Sequence, residues 1–109
     1  METFPNDDTG AAIRQWAAEG SDITKPMKID FFVAVPNRVV GDLFASDPEL
    51  SVFSQVSVEE DAETGRWTCY CSKVVVPIYK DIVETEQLLA GLAKRYGAEF
   101  DGFGSFGNG

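Results

Sequence analysis

Two cysteines, a run of carboxylates and a glycine–aromatic stretch are the residues through which this chain would do chemistry, and each reads more simply as structure. Cys69 and Cys71 are one residue apart on a strand-like run. That spacing puts both side chains on one face, too close along the backbone for an easy bridge. Zinc would need further ligands, and the sequence has no histidine and no third cysteine. The same absence removes Ser-His and Cys-His nucleophilic catalysis. The two thiols are therefore expected to be small buried hydrophobes. Glu59, Glu60, Asp61 and Glu63 crowd a turn, where charge is ordinarily solvated and not poised for acid–base work. Gly102-Phe103-Gly104 is no phosphate loop, because no helix follows to offer its amides to an anion. No catalytic residue, metal or cofactor is expected, and the chain does not read as an enzyme.

The bounds agree with a small binding module. A chain of 109 residues supports one domain with a modest core. Lys and Arg number 9 against 18 Asp and Glu, a net charge of −9. Such a field repels phosphate backbones and attracts basic surfaces, so a cationic protein is a better partner than nucleic acid. The plainer reading of the same charge is that it keeps the domain soluble. Nothing approaches the ~20 consecutive apolar residues of a membrane span. Residues 1–8 carry no secretory h-region and should be a flexible N-terminus. A cytoplasmic domain over 9–109 is expected.

Periodicity places the elements. Asp8 or Thr9 can cap a helix whose stripe is Ile13, Trp16 and Ala17 and which stops at Gly20. A strand over 28–35 turns Ile29, Phe31 and Val33 to the core and Asp30, Phe32 and Ala34 away from it. Asn37 caps a helix over 38–45 that would bury Val40, Leu43 and Phe44, and Pro48 prevents its continuation. The next strand should cover 52–59, with Val52, Val56 and Val58 on one face. After an acidic hairpin turn, a third strand over 66–75 carries Trp67, Cys69 and Cys71 on one face and Thr68, Tyr70 and Ser72 on the other. Pro77 suits the first turn of a helix over 78–96, striped by Ile78, Ile82, Leu89, Leu92, Ala93 and Tyr96. Lys94 and Arg95 complement the negative end of that helix. A last strand puts Phe100 on one side and Glu99, Asp101 and Phe103 on the other. The order is an extra N-terminal helix followed by β-α-β-β-α-β. That is an α+β, ferredoxin-like sandwich with two helices on one face of a four-stranded antiparallel sheet.

The closing segment Lys94-Arg95-Tyr96-Gly97-Ala98-Glu99-Phe100-Asp101-Gly102-Phe103-Gly104 resembles that of the regulator of ribonuclease E activity B family, small bacterial inhibitors of ribonuclease E. Gly20-Ser21-Asp22 and the strand entry Met27-Lys28-Ile29-Asp30-Phe31-Phe32 are similar to the family's opening, and the resemblance runs from about Thr9 to Phe106. Phe103 stands where the family often has tryptophan. The resemblance implies the same fold and a non-catalytic regulator that slows RNA degradation by binding the nuclease protein.

The expected docking site is the sheet face turned away from the helices. Pairing of the last strand with the first, and the first with the third, would gather Phe32, Tyr70 and Phe103, with Asp30, Glu99 and Asp101 around them. RNA-recognition domains stack bases on such a face but surround it with cations. Aromatic rings rimmed by carboxylates suit an arginine-rich protein segment, such as a basic part of ribonuclease E. A structural alternative lays Ile13 and Trp16 of the first helix over this face as a second small core. Gly102 and Gly104 would then serve only close backbone approach or a bulge. Two other functions fit the same fold: an immunity or antitoxin-type protein neutralising a basic nuclease, and a small-molecule sensor. An exposed edge strand leaves monomer or weak dimer open.

Overall fold

The strictly alternating segment Met27–Val35 is the centre of the protein. A computed structural model describes residues 8–105 and 107. The expected flexible segment 1–8 lies outside the described residues except for Asp8, which opens the first helix. In chain order the elements are α1 (Asp8–Ala18), β1 (Met27–Val35), α2 (Arg38–Ala45), β2 (Gln55–Glu60), β3 (Trp67–Val75), α3 (Tyr79–Arg95) and β4 (Glu99–Gly104). A 3-10 turn, Pro48–Val52, joins α2 to β2. The four strands form one sheet in the order β2-β3-β1-β4, with every neighbouring pair antiparallel. The architecture is thus mixed α+β: a four-stranded antiparallel sheet and three α-helices among the described residues.

Alternation in β1 divides the sheet into two sides. Met27, Ile29, Phe31, Val33 and Val35 are all buried, and their in-between neighbours are not. Cys69 and Cys71 of β3 pair with Val33 and Phe31 and are fully buried on the same side. Phe44 from α2, Ile82, Leu89, Leu92 and Ala93 from α3, and Ile13 and Trp16 from α1 close over them in a single cluster. Fully burying each large apolar side chain contributes about 1.5–3 kcal/mol, so this one layer supplies most of the driving force.

Local chemistry fixes the element ends. The Asn37 side-chain oxygen accepts from the Val40 amide at 2.9 Å and caps α2. Asp47 does the same for the 3-10 turn, its Oδ1 accepting from the Glu49 amide at 2.8 Å. Gly97, at φ +69°, takes the left-handed position that ends α3. The start of β4 is anchored just beyond it, where the Ala98 amide donates to the Ala93 carbonyl at 2.9 Å. The end of α3 is tied to the 3-10 turn, because the Tyr96 hydroxyl donates to Asp47 Oδ2 at 2.6 Å and the Tyr96 ring meets Phe44 edge-on at 5.6 Å.

Several expected details differ. Pro48 and the Asp47 cap spend residues 48–52 on the 3-10 turn, so β2 begins only at Gln55 and Val52 is 59% exposed. Leu43 is 58% exposed, because α2 approaches the sheet through Gly41; a Cβ there would sit 2.8 Å from Val58 Cγ1. That close approach turns Val40, Gly41 and Phe44 inward and Leu43 outward. Ile78 has extended backbone and precedes α3, which leaves Pro77 outside the helix. Thr9 is not a cap: it lies inside α1, and its hydroxyl donates to Glu86 Oε2 at 3.1 Å, joining α1 to α3. Among the described residues no helix is long and apolar enough to cross a membrane.

Candidate functional site

The sheet side without helices is laid out by register in rows that run across the strands. One row reads Glu59, Thr68, Ala34, Glu99; the next reads Ser57, Tyr70, Phe32, Gly102; the third reads Gln55, Ser72, Asp30, Gly104. With strands about 4.8 Å apart, the first row holds two carboxylates about 14 Å from one another across the sheet. The middle row holds the aromatic pair Phe32 and Tyr70, edge to face at a centroid separation of 5.5 Å. Gly104 leaves room for the Phe32 ring, whose atoms would lie 3.7–3.8 Å from a Cβ placed there.

Hydrogen bonds hold the third row. Ser72 Oγ donates to Asp30 Oδ1 at 2.5 Å, and Lys28 Nζ donates to Gln55 Oε1 at 3.4 Å. Lys28, Asp30, Gln55, Ser57, Glu59, Tyr70 and Ser72 line a shallow hollow of about 350 Å³ between these rows. Its floor is polar and aromatic, and it combines two carboxylates with one ammonium. The face can accept a cationic side chain and stack it. Its one hydroxyl–carboxylate contact, Ser72 to Asp30, belongs to a serine that is buried and only 4% exposed.

α1 does not cover this face. Trp16 packs edge-on against Phe103 at 6.0 Å, and Ile13 is fully buried in the main cluster on the helical side. The amphipathic stripe of α1 requires an apolar partner, and it finds one beside α3 instead of across the sheet.

Two of the six expected site residues are placed differently. Between Phe32 and Val33 of β1 the register of β4 shifts: Phe32 faces Gly102, Val33 faces Phe100, and Asp101 has no partner. This is a β-bulge, one extra residue that inverts the alternation beyond it. Gly102, at φ +136°, provides the backbone conformation. Phe103 consequently pairs with Phe31 and joins the helical side, its ring 5.7 Å from that of Phe31. Asp101 lines a hollow with Ala12 of α1 and Glu86 of α3. Asp30, Phe32, Tyr70 and Glu99 do share the open side. Glu99 borders a further hollow that also holds Arg66 and Lys94, so its end of the face has mixed charge.

The cysteines take no part in this surface. Both are free and fully buried, and the hydrogen bond with Cys69 together with burial pushes the Cys71 thiol up, keeping it neutral. Among the described residues no group of three or more His, Cys, Asp or Glu could hold a metal ion.

Residues 6–105 match the protein family described as regulator of ribonuclease activity B. The chain belongs to that family. None of the curated proteins compared with the chain matches it. The family is one of regulators, and its span takes in both sheet sides, the bulge and every expected site residue. Within this ribonuclease-regulator domain the sequence reading put Ser72 on the side of Tyr70 without counting it in the site, and left Glu59 to the acidic turn. The two-residue alternation of 55–60 and 67–75 carried the signal, since it puts Glu59 beside Thr68 and Ser72 beside Asp30.

Proposed function

We propose that this member of the regulator family inhibits ribonuclease E, or a closely similar basic ribonuclease, by docking on it as a protein and without catalysis. The same reading takes the arrangement as a ferredoxin-like sandwich whose free sheet side is the docking side, in a cytoplasmic bacterial protein. The partner segment is arginine-bearing and extended: guanidinium groups stack on Phe32 and Tyr70 and pair with Asp30, Glu59 and Glu99. One observation carries this reading. No helix among the described residues covers the half-buried aromatic pair in the middle of the sheet, and carboxylates stand in the rows on both sides of it. A net charge of −9 favours the encounter and disfavours RNA as the ligand.

The test is a binding titration of purified ribonuclease E with the wild-type chain and with Phe32→Ala and Glu59→Lys variants at rising salt. Binding should weaken with salt and fall at least tenfold in either variant. Binding that is absent, salt-independent or unchanged by both substitutions refutes the docking face.

A further inference from the structure

The residues displaced by the bulge form a second surface on the other side of β4. Ala12, Glu86, Phe100, Asp101, Gly102 and Phe103 line a hollow of about 360 Å³ between α1, α3 and the free edge of the sheet. It contains two carboxylate residues and two half-buried phenylalanines, and no Lys or Arg lines it. Asp101 is exposed, and its carboxylate makes no hydrogen bond or ion pair with any other described residue. Thr9 donates to Glu86 on the opposite wall and holds that carboxylate to α1.

A bulge at a sheet edge commonly re-aims a side chain, here at the cost of a ladder position. An uninterrupted β4 would have put Asp101 among the open-face carboxylates and Phe103 beside Phe32. The bulge instead brings one carboxylate to an aromatic wall on the far side, where no lining residue neutralises it. A planar cation satisfies both parts of such a notch. A guanidinium can lie against a phenyl face while two of its N–H groups engage a carboxylate, whereas an ammonium offers only a point charge. Phosphate is repelled by the same carboxylates, and two carboxylates are too few to enclose a metal ion.

We infer that this hollow captures a single arginine side chain of the protein partner, with Asp101 as its ion-pair acceptor and Phe100 and Phe103 as its walls. The inference rests on the proposed docking to an arginine-bearing segment. It adds that the segment wraps the edge of β4, since Glu99 on the open side is only two residues from Asp101 on the notch side.

The experiment is an amide-resolved NMR titration of the full chain at low ionic strength. The probe is a capped peptide of four arginines separated by Gly-Ser, and its lysine counterpart is the control. The arginine peptide should shift the amides of Ala12 and of residues 100–103, and should bind several-fold tighter than the lysine peptide. Asp101→Asn should weaken binding about tenfold and abolish those shifts while leaving those at Asp30, Phe32 and Tyr70. Glu63→Gln, an equal change of charge on the distant hairpin turn, should leave affinity within twofold. Shifts confined to the open face, or an Asp101→Asn variant that binds like wild type, overturn the notch and leave the docking face standing. Shifts confined to the notch support it and remove the docking face. No shift in either place overturns both.

Discussion

Replacing Phe103 by alanine separates the two sides of the sheet, because the bulge has moved this ring from the surface into the main core. Truncating a fully buried phenylalanine costs about 3–5 kcal/mol. Phe103 keeps part of its surface exposed, but its ring contacts both Trp16 and Phe31, and such aromatic pairs each add about 0.5–1.5 kcal/mol. The expected loss is about 2–4 kcal/mol on these area and ring contributions. Phe32→Ala removes one ring contact, with Tyr70, and no core volume; its expected cost is about 1 kcal/mol, at the level of a cross-strand pair. Urea denaturation followed by circular dichroism measures both. With a slope of roughly 1–1.5 kcal/mol/M for a domain of this size, Phe103→Ala should lower the midpoint by about 2 M and Phe32→Ala by under 1 M. In a Trp67→Phe background, only the Phe103 variant should alter Trp16 emission. If Phe32→Ala proves the costlier substitution, or Phe103→Ala costs less than about 0.5 kcal/mol, the bulge register is wrong and Phe103 belongs on the open face.

Gly102→Ala should destabilise the protein by about 1–2 kcal/mol by the same denaturation, since a side chain is strained at φ +136° although the surrounding space is open. The Tyr96–Asp47 bond should give stability two pH edges. The Tyr96 hydroxyl and the Glu49 amide hold the Asp47 carboxyl below its ordinary 3.8, so that contribution is complete above this pH and is lost as the pH falls through the lowered value. The bond to Asp47 raises the Tyr96 hydroxyl above its ordinary 10.0, so its contribution is complete below pH 10 and is lost on further alkalinisation. In melting temperatures scanned against pH, Tyr96→Phe should flatten both edges relative to wild type.

Element positions were legible wherever a local pattern had one solution. Alternation over 27–35 left no choice about which side of β1 is buried, and Asn37 and Gly97 marked helix ends by chemistry that needs no tertiary context. Three features were not legible, each for a distinct reason. A stripe of Ile13 and Trp16 says that α1 must be buried, but it does not choose a layer; that choice depends on the Phe103 ring, which the bulge supplies. The outward turn of Leu43 depends on how closely α2 can approach, which Gly41 and Val58 decide together. The bulge itself breaks the counting rule. Alternation carried straight through residues 99–104 assigns Asp101 and Phe103 to the open face, and one unpaired residue reverses the assignment beyond it. The glycines at 102 and 104 signalled that a bulge was possible, but not its position.

The central strand divides its residues between the two sides of the sheet. Ile29, Phe31 and Val33 secure the fold, while Asp30 and Phe32 lie on the opposite side and are not needed by the main core. An uninterrupted β4 would have divided its labour in the same way. Instead the bulge gives this edge strand an aromatic residue that the core requires and, two positions earlier, an unpaired carboxylate that the core does not use. Folding therefore accounts for the position of Phe103 but not for the acidity of Asp101. A neutral residue would occupy the bulge as well, without adding charge to a chain already at −9. On the proposed docking, that carboxylate, set beside two phenylalanines, would meet a guanidinium of the partner.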